Sequence, residues 1–182
     1  IEKNSNNGNL NNTDLPEKKL GMGHNLLSIV GCEGTQPLIR DNLVLVFNGE
    51  IYNYRELKKE FKDEYKTDSD CEIILSLIKR FDQGNLKNAV EKTIEYLDGD
   101  YAFAIYDGEN FAAVRDIVGV KPLYFGEIKE DNTFAFASER KALWKIGIKD
   151  VKSLSPDSMI YNKEILKLKY NLESNINLKL VN

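Results

Sequence analysis

Asn48-Gly49-Glu50 sets an amide side chain, a glycine N–H and a carboxylate on three consecutive residues, directly after the apolar run Leu43-Val44-Leu45-Val46-Phe47. Two donors this close together can be aimed at a developing oxyanion. The same residues also make an ordinary strand-ending turn, with positive φ at or near Gly49. Asp70 falls in the first turn of an expected helix, where the helix dipole favours a negative charge, and by itself it reads as structural. Arg115-Asp116, followed by Gly119 and Lys121-Pro122-Leu123-Tyr124, is either a binding loop or a fixed turn between strands. Its adjacent base and acid describe an internal salt bridge or hydrogen-bond anchor.

Other chemistries have few residues to draw on. His24 is the single histidine, so a multi-histidine metal site is impossible and a Ser–His–Asp apparatus could use this residue alone. Its place before an apolar run describes a packed, hydrogen-bonded histidine. Cys32 and Cys71 are too few for a disulfide framework and lack zinc-finger spacing, which points to a reducing, cytoplasmic setting. Cys71 reads as a small core residue and Cys32 as a loop thiol, neither with a histidine or lysine close in sequence to activate it. The 182 residues, 42% apolar and 30% charged, describe one soluble domain with an adequate core. A net charge of −4 with both signs interspersed offers no stripe for a phosphate backbone, which argues against nucleic acid. No run reaches the roughly 20 apolar residues that a bilayer requires, which argues against a membrane span.

The elements that must position these residues follow from periodicity. Residues 1–19, with six asparagines before position 13, are expected to be a mobile loop or ragged end, and 20–182 to be the folded domain. Leu26, Leu27, Ile29 and Val30 mark a first buried strand, 31–41 a loop, and 43–47 a second strand ended by the Asn-Gly turn. Tyr54, Leu57 and Phe61 predict a helix over 54–61, with Asn53 and Glu56 at its start. Ser69-Asp70-Cys71-Glu72 fits a capping box for a helix over 70–80, and Leu86, Val90, Ile94 and Leu97 predict a third helix. The period then changes to two, predicting strands at 101–106, 111–115, 123–126 and 133–137. A short helix after Ser138 and a hairpin across Asn162-Lys163 close the chain. Strands, then helices, then a meander imply an α+β fold with helices on a largely antiparallel sheet system.

Weak singly, these signals carry more in their order. Asn48-Gly49-Glu50-Ile51-Tyr52-Asn53-Tyr54-Arg55-Glu56-Leu57, Thr67-Asp68-Ser69-Asp70-Cys71-Glu72, Leu97-Asp98-Gly99-Asp100-Tyr101-Ala102-Phe103-Ala104, Arg115-Asp116 through Tyr124, and Phe136-Ala137-Ser138-Glu139-Arg140-Lys141-Ala142-Leu143 stand in register. Together they closely resemble the amino-terminal glutaminase domain of glutamine-dependent asparagine synthetases, a class II glutamine amidotransferase branch. The resemblance implies an amino-terminal-nucleophile hydrolase with a four-layer αββα sandwich of two mainly antiparallel sheets. It also implies that a terminal cysteine thiolate attacks the glutamine side-chain amide. The cysteine's own α-amine is the base, since its pKa near 8 suits proton transfer without histidine. The ammonia released goes toward a synthetase domain, where it is transferred to aspartate.

By the same resemblance Asn48 and Gly49 form the oxyanion hole, and Glu50 and Asp70 accept the α-ammonium of glutamine. Leu26-Leu27-Ser28-Ile29-Val30 matches a substrate-binding element whose first residue is arginine in the family, whereas Leu26 stands here. That change removes a guanidinium clamp on the substrate carboxylate. The sequence shows neither a Cys-Gly-Ile or Cys-Ser-Ile start nor an Arg-His-Arg-Gly-Pro-Asp-like segment. The expected amino-terminal strand and nucleophile are therefore missing, and two readings stay open. One is a piece of an active enzyme; the other is a catalytically inactive binding or scaffold module. No metal and no cofactor are expected in this domain, and ATP and magnesium belong to a separate synthetase domain. The expected partners are glutamine or glutamate and that synthetase domain or subunit, and a homo-oligomer is left open.

Overall fold

The computed structural model describes residues 21–24 and 36–169. In chain order the elements are β1 (Leu38–Arg40), β2 (Leu43–Ile51), α1 (Tyr54–Glu60), α2 (Glu72–Phe81), α3 (Leu86–Ile94), β3 (Gly99–Tyr106) and β4 (Phe111–Arg115). There follow β5 (Tyr124–Ile128), β6 (Thr133–Ala137), α4 (Arg140–Lys145), β7 (Lys152–Ser153), β8 (Ser158–Tyr161) and β9 (Glu164–Lys167). A six-stranded sheet runs β1-β2-β3-β4-β8-β9 and a three-stranded sheet runs β6-β5-β7, with every ladder antiparallel.

Side chains alternate across a strand, so each strand of the larger sheet serves two cores. Leu45, Phe47, Tyr101, Phe103, Ile105, Val114 and Met159 pack against Ile74, Leu77 and Ile78 of α2 and Ala89 and Val90 of α3. From the opposite face Val44, Ala102, Ala104, Ala113 and Ile160 meet Leu123, Phe125 and Leu154, with Phe134 and Phe136 beside them. Because both faces are buried, these strands read as continuous apolar runs instead of alternating ones. Beyond the smaller sheet lies α4. Arg140 stacks on the Tyr124 ring at 4.6 Å, and Ile148 and the Asp150 carbonyl come so close to Gly126 that a Cβ there would sit 2.5 and 2.8 Å from them. The layers are helix, sheet, sheet and helix, as the four-layer αββα expectation requires.

Several local expectations are corrected. β2 does not stop at Phe47: it runs through Asn48-Gly49-Glu50 to Ile51, pairing Asn48 with Ala102, Gly49 with Tyr101 and Glu50 with Asp100. Asn53 does not cap α1 with its side chain. It accepts from Asp98 N at 3.0 Å and donates to Tyr96 O at 2.8 Å, tying the end of β2 to the start of β3. The capping box at Ser69 is absent, since Glu72 turns its carboxylate to the N–H groups of Lys66 and Thr67 (2.7 and 2.9 Å). α2 therefore starts at Glu72, and Asp70 precedes it. β1 occupies part of the expected 31–41 loop, and β7 was not expected at all. The hairpin across Asn162 and Lys163 is as expected, both residues taking positive φ (46° and 76°) as a two-residue turn of matching twist demands. The expected strand at Leu26–Val30, Cys32 and the 1–19 segment lie outside the described residues. No helix among the described residues is long and apolar enough to cross a membrane.

Candidate functional site

The edge of β2 facing β1 organises the site. Beyond the end of β1, the Gln36 side chain continues the ladder: it accepts from Phe47 N at 2.6 Å and donates to Phe47 O at 3.0 Å. Four residues on, Ile51 N donates to Asp70 Oδ2 at 2.8 Å. Alternate residues of a strand direct their N–H groups to the same edge. The Gly49 N–H therefore emerges between the Gln36 amide and the Asp70 carboxylate. Glycine is required there because a Cβ would lie 2.2 Å from the Asp100 carbonyl and 2.7 Å from Tyr101 Cα, both backbone atoms of β3. Its φ of 157° is positive, as expected, but it belongs to a strand and not to a turn.

Asn48 points the other way, onto the inter-sheet face shared with Val44 and Val46. Its Nδ2 donates to Ser138 Oγ at 3.4 Å, 90 residues along the chain, where β6 passes into α4. A cavity opens here, lined among others by His24, Asn48, Ala102, Ala104, Phe136 and Ser138. The alanines of β3 leave the space. His24 is half-buried in this wall, and burial pushes its imidazole below the ordinary value.

Glu50 is exposed and directly opposite Asp100 in the ladder. Like charges in that relation repel. Tyr52 donates its hydroxyl to Asp100 Oδ2 at 2.6 Å, a bond that pushes the phenol up to about 12. Asp70 meets the same strand one residue beyond Glu50, at Ile51 N. Of the four residues singled out in the sequence, Asn48, Gly49 and Glu50 are consecutive on β2, and Asp70, just before α2, reaches that strand at Ile51 N. Asn48 lines the inter-sheet cavity, whereas Gly49, Glu50 and Asp70 are outside its lining. Leu26, Leu27, Ser28, Ile29 and Val30 lie outside the described residues. Among the described residues no group of three His, Cys, Asp or Glu side chains converges as a metal site.

Arg115 and Asp116 are a hydrogen-bond anchor and not a catalytic pair. The buried Asp116 carboxylate accepts from Val118 N, Gly119 N and Tyr101 N at 2.9, 2.5 and 3.3 Å. Arg115 donates to the carbonyls of Lys121, Leu154 and Gly119 at 2.8, 2.6 and 2.6 Å. Together they fix the loop that leads into β5. Sequence reasoning gives no site role to Gln36 or Ser138: Gln36 falls in an expected loop, and Ser138 enters only as the residue before a helix and as one member of a resembling block.

Comparison with known proteins adds independent findings. The glutamine amidotransferase domain family matches residues 3–176. A Methanocaldococcus jannaschii protein named as a glutamine-hydrolysing asparagine synthetase is 44% identical over 167 residues, spanning 87% of this chain and 28% of that protein. Escherichia coli asparagine synthetase B is 38% identical over 153 residues, 79% of this chain and 25% of its own length. The chain thus spans about a quarter of the relatives it matches. Among solved structures, the glutamine phosphoribosylpyrophosphate amidotransferase of Bacillus subtilis superposes with a TM-score of 0.65 at 29% identity, covering 75% of this chain and 32% of that one.

Proposed function

The chain belongs to the glutamine amidotransferase domain family, and from that premise we propose that it is the glutaminase domain of an asparagine synthetase-like protein. In that role it hydrolyses glutamine to glutamate and ammonia for transfer to aspartate elsewhere in the protein. The observation that carries the reading is the pair of adjacent donors on β2. Asn48 presents a side-chain amide to the inter-sheet cavity, and the next residue presents a backbone N–H at the strand edge.

The chemistry follows from this placement. When a thiolate adds to the glutamine amide carbon, charge gathers on the carbonyl oxygen. Donors held rigidly by a strand stabilise that charge without reorganising at the moment of reaction. Ser138 holds the Asn48 amide from the opposite sheet. Glu50 and Asp70 accept the α-ammonium of glutamine, which relieves the repulsion between Glu50 and Asp100. The thiolate is that of a terminal cysteine with its own amine as base.

The test is ammonia release from glutamine by the full-length protein that contains this chain. Asn48→Ala should lower kcat by about 10²–10³ with little change in KM, the signature of a donor used in the transition state. Unchanged kcat would remove the oxyanion role. Leu26, at the position of the family's arginine, favours a second reading as a binding module without turnover. Glutamate binding weakened but still measurable in Asp70→Asn, in a full-length protein that releases no ammonia, would establish that reading instead.

A further inference from the structure

The segment that carries Asp70 is held from two sides. From α1, the Lys58 ammonium donates to the carbonyls of Thr67 and Ser69, each at 3.0 Å. It also sits over two aromatic rings, 5.5 Å from the Tyr54 centroid and 4.8 Å from that of Tyr65. Both distances are inside the range where a cation is attracted to a ring face. From α2, the buried Glu72 carboxylate accepts from Lys66 N, Thr67 N and Thr67 Oγ1 at 2.7, 2.9 and 2.9 Å. Thr67 Oγ1 in turn accepts from Ser69 N at 3.2 Å. The next residue is Asp70, whose Oδ2 meets Ile51 N.

The disposition of charge is informative. Lys58 contacts this segment, yet it spends its donors on main-chain carbonyls and not on the carboxylate of Asp70. An ion pair with Lys58 would have fixed Asp70 equally well, while neutralising the charge that an ammonium ligand needs. The arrangement instead fixes the backbone and leaves the negative charge available at the β2 edge.

We propose that Lys58 is a positioning residue for amino-acid binding: it clamps the 67–69 segment so that Asp70 faces the end of β2, where the α-ammonium of the substrate is held. This rests on the reading of Asp70 as an ammonium acceptor. Because Lys58 acts through Asp70, its loss weakens binding of the amino acid and leaves the bond-breaking donors, Asn48 and Gly49, in place.

The experiment is calorimetric titration of the full-length protein with L-glutamate, which binds without being consumed. Lys58→Met keeps the apolar stem and removes the donors; it should weaken binding about tenfold, a coupling typical of residues that share one network. Lys58→Arg should restore most of the affinity. In an Asp70→Asn background, Lys58→Met should change affinity by less than about twofold, because the residue it serves is already disabled. Equal weakening in both backgrounds, or none in the wild type, overturns the proposal. If Lys58→Met does not fold, Glu72→Gln probes the same segment from its other side and must show the same dependence on Asp70. Asp70→Asn without effect on glutamate affinity overturns the ammonium site itself, and the role of Lys58 with it.

Discussion

The two faces of the six-stranded sheet are built from the same strands and do different work. Toward α2 and α3 the sheet presents Leu45, Phe47, Tyr101, Phe103 and Ile105, large side chains that fill the space against the helices. Toward the smaller sheet it presents Val44, Asn48, Ala102, Ala104 and Ala113, and there a cavity remains with Asn48 in its wall. Small residues on one face leave a cavity, and large residues on the other hold the strand that carries Asn48. A site can be open only because the opposite face of its own backbone is closed. The difference teaches that stability and chemistry are separable here by residue parity along a strand.

Gly49 is where that separation fails, since both faces depend on one close approach of β2 and β3. Gly49→Ala places a Cβ 2.2 Å from the Asp100 carbonyl, against backbone that cannot rotate away. The expected loss exceeds about 4 kcal/mol, enough to prevent folding in many domains. Gly108→Ala is the control: its φ is also positive, 104°, but nothing lies within 4 Å of the added atom, so the cost is about 1 kcal/mol. Urea denaturation of the two variants measures the contrast. Similar midpoints for both would mean that the strands can part at Gly49 and that the two faces are not joined there.

A smaller effect sharpens the parity argument. Ile105, fully buried among the helix-facing side chains, should cost about 2–5 kcal/mol when cut to alanine. The ratio of glutamine turnover to folded protein should remain near wild type. Asn48→Ala, on the opposite face, should do the reverse. The variant that loses kcat should keep its stability to within about 1 kcal/mol, because its amide makes only a long bond, 3.4 Å, to Ser138. Equal losses of stability from both substitutions would break the division between faces.

The helix-facing half was the more legible in the sequence, and the reason is physical. Ile74, Leu77, Ile78 and Phe81 recur at the helical period, and the residue following each strand pair is a turn former, so α2 and the meander could be placed to within a few residues. The errors fell where side chains serve distant backbone. Asn-Gly looked like a turn because local chemistry permits one, but pairing with β3 over eight residues outweighed it. Glu72 looked like half of a capping box, yet its carboxylate is used by the segment before the helix. Gln36 acts as a substitute strand, a role that no local pattern encodes. The site roles of Asn48, Gly49, Glu50 and Asp70 come through resemblance; the register places the first three on β2, and a long-range hydrogen bond from Ile51 N brings Asp70 to it.

The last prediction concerns how the helix layer is fastened to the edge of the sheet. Arg40 on β1 donates two parallel hydrogen bonds to Asp63, at 2.6 and 2.7 Å, and Ser76 of α2 adds a third at 2.5 Å. The Arg40 guanidinium, followed by the Ser76 hydroxyl and Glu64 N–H, holds the Asp63 carboxyl well below the usual carboxylate range, although burial opposes this. A carboxyl depressed in the folded state stabilises the fold fully above its unfolded pKa of about 4, and that contribution is lost as the pH falls toward the folded value. Arg40→Met should therefore cost about 1 kcal/mol at pH 7, modest because the pair is partly exposed at 20% and 26%. The deficit should shrink steadily below about pH 4, as the wild type loses the same interaction by protonation. Urea unfolding of both proteins between pH 7 and 2.5 measures this convergence. The inter-sheet face contributes nothing to it, so Asn48→Ala should show no corresponding change with pH. A deficit for Arg40→Met that stays constant throughout would mean that its side chain acts by packing alone, and that the edge of the helix layer is not fastened by charge.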